Sequence, residues 1–302
     1  MNLLEIMKER KSTREFSNRA LSEADQQKVS ELLKGPFNVT GHEMVEMRVL
    51  NEGRDVFEAL KGRAGYSGVM IEAPQYIAFL ADRTEDAYQA VGFMGEAILF
   101  NLFVEEIGSC WISIDDKDEA KAALGMDSKK ELAALIAIGY PQGENFIAKF
   151  FQNFKANKSS PISEGGYGNY KVEYRADGNE YSGREATRNF VYLDYFGNET
   201  DLDELEERGL DEAFYYIKQA PSWANRQPWR YILRGYELIM AVEHNPKNSH
   251  EMDMLEAGIA MYYVNLVFNE IGISGTWVSK PVEENLRIPS DFFLAGHYEI
   301  NR

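Results

Sequence analysis

Two short stretches of this 302-residue chain hold side chains whose types and spacing suit chemistry. The first, MKERKSTREF at 7–16, sets Arg10, Lys11 and Arg14 beside the hydroxyls of Ser12 and Thr13. If a helix opening near Leu3 continues through it, Arg10 and Lys11 fall three and four residues after Met7, and Arg14 four after Arg10. Guanidinium groups offer forked donors matched to phosphate oxygens, so the crowded charges form a candidate anion site. The same spacing fits a solvated helix face on which Glu9 and Glu15 pair the bases. The second stretch, QAPSWANRQPW at 219–229, suits neither an amphipathic helix nor an alternating strand. Pro221 ends a helix, Ser222, Trp223 and Asn225 supply donors and acceptors, and Pro228 stiffens entry to a strand at Trp229. A rigid connector whose tryptophans fill core would have the same composition.

Other chemistries find little support. His42, His244, His250 and His297 are scattered, without HExxH or Cys-His spacing, so no metal site is expected. Neither a GxSxG elbow nor a GKS or GKT phosphate loop occurs. GGYGN at 165–169 fails as a phosphate loop because strand-like alternation follows it. Carboxylates are too plentiful for a catalytic dyad to be located.

The elements that must position these stretches follow from composition and periodicity. An apolar content of 44% supports a folded chain. A net charge of −17, from 49 acidic and 32 basic residues, opposes attraction to nucleic acid or an anionic membrane. Cys110 is the single cysteine, which excludes an internal disulfide. The most apolar stretch, AVGFMGEAILFNLFV at 90–104, is interrupted by Glu96 and Asn101 and is shorter than a membrane span. These features predict a cytoplasmic protein.

FNLFVEEIGSCWIS at 100–113 recurs as VNLVFNEIGISGTWVS at 264–279. Asn101 and Asn265, like Gly108 and Gly272, share one offset, 265 − 101 = 272 − 108 = 164, and a two-residue insertion then aligns Trp111 with Trp277. The order of elements repeats as well. The first half predicts a helix from Leu21-Ser22 to Gly35-Pro36, strands at 47–51 and 73–82, an all-round apolar helix at 87–107, and strands over CWISI and 131–141. The second predicts a helix over LDEAFYYIKQ, strands WRYILR and ELIMAVE, a long helix at 251–271, then GTWVS and a last strand near GHYEIN. Between them, residues 159–201 read as a Gly/Tyr-rich crossover arm with a hairpin turn at Asp177-Gly178. Alternating helices and strands give an α+β chain of two similar halves, 1–158 and 202–302, flanking that arm.

RKSTREF resembles the N-terminal Arg-Arg-Ser-x-Arg-x-Phe motif of the nitroreductase-like flavoproteins, and APSWANRQPW resembles their Ala-Pro-Ser-Ser-x-Asn-x-Gln-Pro-Trp motif, with Trp223 where the family usually has Ser. The usual family member has one such unit per chain and works as a homodimer with FMN at the interface. The resemblance therefore implies a nitroreductase-like fold of two tandem repeats packed as an intramolecular pseudo-dimer, with long central helices and mixed or antiparallel sheets. It implies one composite FMN site, with Arg10, Lys11, Ser12 and Arg14 on one side and Pro221, Ser222, Trp223 and Asn225 on the other. The mirror site is decayed: GPFNVTGHEM at 35–44 keeps only the proline of the loop, and SGREATRNF at 182–190 is at best a remnant of the basic motif.

By the same resemblance Lys155 and Lys158 could add cations for the phosphate, although solvated surface lysines fit them slightly better. Cys110 to Ser113 would pass the flavin ring, with Ser113 and Tyr66-Ser67-Gly68 further candidates at it. The implied activity is electron transfer from NADPH or NADH to a small-molecule acceptor such as a nitroaromatic or quinone. Internalising the family interface makes a monomer possible. The alternative is a flavin-binding or flavin-free interaction protein with little or no turnover.

Overall fold

The computed structural model describes residues 3–65, 69–142, 173–174, 180–181, 184–247, 249–279 and 285–301. Helix α1 (Leu3–Glu9) is followed by α2 (Glu23–Leu32), whose start is fixed by Ser22 accepting the Asp25 N–H at 3.2 Å. Strands β1 (Val45–Leu50), β2 (Ala64–Gly65), β3 (Gln75–Ala81), β4 (Gly108–Ile114) and β5 (Glu131–Gly139) form one sheet in the order β1-β3-β5-β4-β2. Helices α3 (Gly53–Leu60), α4 (Glu85–Val104) and α5 (Lys117–Ala123) connect them. The short α3, α5 and β2 have no counterpart in the sequence-based expectation, because each is too brief to stand out from the loops around it.

In the arm, β6 (Glu173–Tyr174) and β7 (Glu180–Tyr181) pair antiparallel on either side of the expected turn, whose residues lie outside those described. Further on, β8 (Val191–Leu193) joins the second sheet as a parallel edge strand beside β9 (Trp229–Arg234). Helices α6 (Leu202–Glu207) and α7 (Asp211–Ile217) precede β9. After β10 (Glu237–Glu243) come α8 (His250–Glu270), β11 (Gly275–Val278) and β12 (Phe292–Ile300). The sheet order is β11-β12-β10-β9-β8.

The two sheets share the four-strand order in which β1, β3, β5 and β4 correspond to β9, β10, β12 and β11. The correspondence extends to single residues. The β3–β5 ladder shifts between Phe79 and Leu80, leaving Ala133 unpaired, and the β10–β12 ladder shifts between Met240 and Ala241, leaving Ala295. Trp111 lies opposite Ile136, three residues after the first bulge, and Trp277 opposite Tyr298, three after the second.

The long helices end alike. Glu106 (φ 61°) and Gly272 (φ 83°) both turn left-handed, and Ile107 and Ile273 both return an N–H to a carbonyl five residues back at 2.8 Å. These pairs and the tryptophans keep one offset, 272 − 106 = 277 − 111 = 166. The EIG match at offset 164 is therefore two residues out of register, and no insertion separates helix from strand. An identical tripeptide outweighed the cap geometry, which sequence does not display.

Helices α4 and α8 cross in the centre with backbones in contact. A Cβ on Gly92 would lie 2.0 Å from the Leu255 carbonyl oxygen, and one on Gly258 would lie 1.9 Å from that of Gln89. The contact is reciprocal, since 258 − 92 = 255 − 89 = 166. Side chains of both helices and both sheets merge into one core. Among the described residues α4 is long and apolar enough to cross a membrane, yet 83% of its most apolar window is buried inside the protein, as a central core helix requires.

Candidate functional site

The basic segment departs from its expected conformation. Helix α1 ends at Glu9, so Arg10 to Arg14 do not share a helical face. Tertiary pairing draws the chain out: the Thr13 N–H donates to the Ser109 carbonyl at 2.8 Å, and Phe16 bridges Pro141 beyond the end of β5. This turns Arg10 inward, where its side chain is 6% exposed, while Lys11 and Arg14 stay at the surface and Ser12 is half-buried.

Arg10 enters a polar cluster inside the core. Its Nε lies 3.4 Å from Glu96 Oε1 and 3.3 Å from the Tyr263 hydroxyl. The fully buried Glu96 also accepts the Trp111 indole N–H at 2.9 Å. Gly95 makes room for that indole, because a Cβ there would meet the ring at 2.1 Å. Burial works to lower the Arg10 pKa, but Glu96 and Tyr263 more than offset it and hold the group above its ordinary value. Tyr263 is raised, by burial first, with Arg10 pulling the other way. One guanidinium nitrogen, Arg10 Nη1, is buried without a hydrogen-bond partner among the described residues.

The Pro-Ser segment forms a tight turn after α7. Ala224, Asn225 and Gln227 have φ of 49°, 55° and 52°. Left-handed backbone costs a non-glycine residue about 1–2 kcal/mol, least for Asn, so surrounding bonds must hold it. The Ser222 hydroxyl accepts the Gln227 N–H at 2.9 Å, and Gln227 Oε1 accepts the Glu185 N–H at 2.9 Å. Glu256 of α8 anchors the turn from below, accepting the Trp223 N–H at 2.6 Å and an Arg226 guanidinium N–H at 3.1 Å. Burial pushes the Glu256 carboxyl up to about 7, against the opposing pull of Arg226 and the Trp223 N–H. Pro221, Ser222, Trp223 and Asn225 remain half-buried, and strand β6 lies beside the turn.

Helix α8 links the two segments. Glu256 under the turn and Tyr263 beside Arg10 are seven residues apart, two turns along one face, or about 10 Å. The helices leading into them also touch: the Tyr216 hydroxyl of α7 donates to Glu5 of α1 at 3.2 Å, and Lys8 lies 5.0 Å from the Tyr216 ring. Arg184, in the supposed remnant of the basic motif, donates to the Ala220 and Gln219 carbonyls at 2.8 and 3.0 Å, and its charge reaches Tyr263.

Strand β4 brings Cys110 near Arg10, while Ser113, half-buried, lies further along it opposite Gly65. Lys155, Lys158 and Tyr66-Ser67-Gly68 lie outside the described residues. Glu96, Tyr263, Glu256 and Arg226 were not singled out as site residues from the sequence. For Glu96 a signal existed, an acidic residue inside an otherwise apolar helix.

A family model described as "Putative TM nitroreductase" matches residues 2–170, more than half the chain. A solved structure from Thermotoga maritima, described as a putative nitroreductase, shares the fold with a TM-score of 0.57 at 18% identity, over 99% of this chain and 93% of that one. An FMN-dependent nitroreductase from Clostridium difficile (TM-score 0.40, 19% identity) matches over 46% of this chain and 87% of its own. A nitroreductase family protein from Clostridium novyi (TM-score 0.39, 19% identity) matches over 47% and 86%. No curated protein matches the chain.

Proposed function

This chain belongs to the putative TM nitroreductase family, an oxidoreductase class, and on that premise we propose an FMN-dependent oxidoreductase. Electrons pass from NADH or NADPH to a nitroaromatic, quinone or similar acceptor at one composite site per chain. The observation that carries this reading is Arg10 Nη1, a buried cationic donor without a hydrogen-bond partner among the described residues. Such a donor is costly unless an anion answers it, and a phosphate oxygen does so with a charge-assisted hydrogen bond.

In this reading Arg10, Lys11, Ser12 and Arg14 hold the phosphate, with Lys155 and Lys158 adding charge. Pro221, Ser222, Trp223 and Asn225 form the wall facing the ring, and Ser113 contributes from β4. FMN, when bound, supplies the electron-carrying ring that takes hydride from the nicotinamide and returns electrons to the acceptor. The protein's part is positional. Glu96 fixes Arg10, Glu256 fixes the Trp223 backbone, and α8 spaces the two. No side-chain acid or nucleophile is demanded.

Absorbance of the purified protein tests the cofactor. The expected result is one FMN per chain, weakened by Arg10→Ala and by Asn225→Ala; a colourless protein without FMN affinity, or two flavins per chain, refutes the composite site. A second reading, a flavin binder with little turnover, is favoured by the internal use of the Trp223 N–H and the Ser222 hydroxyl. Anaerobic mixing with NADPH and with NADH decides between the two, since bleaching of the flavin marks the reductase.

A further inference from the structure

We propose that His244, His250 and Asp253 form a binding site for a divalent transition-metal ion, of which zinc is the best fit. The ligand atoms of the three side chains all lie within 4.8 Å of one another. They converge through the turn between β10 and α8. His244 leaves β10 with its N–H on the Asp291 carbonyl at 2.8 Å, His250 opens α8, and Asp253 follows one turn later on the same face. The sequence hides the set because five residues separate the histidines and no compact motif results.

A second observation points to a ligand. The Asp253 side chain is fully buried, and its two oxygens are unequally satisfied. Oδ2 accepts the Asn245 N–H at 3.2 Å and lies 2.7 Å from His244 Nδ1. Oδ1 is buried without a hydrogen bond, with the nearest Arg226 guanidinium nitrogen at 3.6 Å. A buried carboxylate whose Oδ1 is answered only by one guanidinium at 3.6 Å has capacity for a second cation, and the two imidazoles within 4.8 Å of the carboxylate select which. Two nitrogens and a carboxylate suit zinc, which binds both donor types at about 2.0–2.2 Å, whereas calcium and magnesium prefer all-oxygen shells.

The neighbourhood is preorganised and open. Asn245 orients the carboxylate through its backbone, as residues behind a metal ligand do. The His250 ring packs edge-on against Phe293 with centroids 4.4 Å apart. Glu85 of α4, in the other half, places Oε1 3.0 Å from His250 Nε2 and is positioned to supply a fourth oxygen. The His244 and His250 side chains are 46% and 40% exposed, so the ion enters from solvent. Asp253 also shares Arg226 with Glu256, so an ion here adds positive charge on the far side of Arg226 and drives that guanidinium toward the anchor of the 223–227 turn. The site itself does not depend on the flavin reading.

The test is calorimetric titration of the chelator-treated full chain with zinc chloride at pH 7.5, with cobalt(II) absorption as a second probe. The expected result is one zinc per chain with micromolar or tighter affinity, and a visible cobalt band of low-coordinate type. His244→Ala and His250→Ala, both at partly exposed positions, should each weaken zinc at least tenfold, while His42→Ala leaves it unchanged. Absence of binding, or an affinity that neither His244→Ala nor His250→Ala alters, overturns the proposal. Circular dichroism of each variant confirms that the fold is intact.

Discussion

Replacing Gly258 by alanine tests the central crossing most directly. On an open helix face, glycine to alanine stabilises by about 1 kcal/mol. Here the added Cβ would sit 1.9 Å from the Gln89 carbonyl oxygen and 2.9 Å from the Phe93 nitrogen. Contacts under 3.0 Å are essentially never seen for a Cβ, so the helices must part by about 3.0 − 1.9 = 1.1 Å. Both neighbours are backbone atoms, so no side-chain rotation relieves the clash. A 1 Å gap forfeits up to about half of the dispersion energy of the facing contacts, among them the Phe93–Tyr262 pair at 5.5 Å. Overpacking of this kind costs about 1–3 kcal/mol; with the helix-propensity gain set against a cost at the upper end, the expected net loss is about 2 kcal/mol. For a chain of this size that is a fall in Tm of about 3 °C. Gly92→Ala should behave alike, and the double variant should lose less than the sum, because one separation relieves both clashes. Thermal and urea denaturation read all three. A Gly258→Ala variant as stable as wild type, or strict additivity in the double variant, would falsify the reciprocal crossing.

Glu96→Leu should destabilise by about 3–5 kcal/mol, since it leaves Arg10 charged and unpaired in the core, and Arg10→Met in the same chain should restore much of the loss. Urea denaturation checks this, and a single variant within 0.5 kcal/mol of wild type counts against it. Glu256 predicts a pH effect. Its folded pKa of about 7 lies above the ordinary 4.5, so its contribution is most favourable below pH 4.5, declines as pH rises from 4.5 to 7, and is flat beyond. That amounts to about 3 kcal/mol, and Glu256→Gln should flatten the stability profile across this window in chelator-treated protein. Glu131 has the opposite sign. Burial raises it, but bonds from Lys117, Tyr88 and Arg83 prevail and hold it at about 2, so its stabilisation is present above pH 4.5 and lost as pH falls through 2. Glu131→Gln should lower stability at neutral pH and blunt the acid limb of the denaturation curve.

Local pattern in the sequence determined the order of elements, the α+β class and the repeated half-chain topology. Ser22 as a cap, the all-round apolar helix around Met94 and the continuous apolar runs of β3 and β10 are short-range signals that survive in the fold because burial reinforces them. The two motif segments were legible as unusual for the same reason, being short runs of residues that no regular element favours. Only tertiary structure decided the rest. Pairing of Thr13 with Ser109, some hundred residues away, unwound the expected basic helix and turned Arg10 inward. The helix caps set the repeat at 166 rather than 164, because a left-handed turn fixes register where three identical letters do not. The partners of Glu96, Glu256 and Asp253 lie beyond any local window, and a buried charge shows what it holds only once the chain has closed around it.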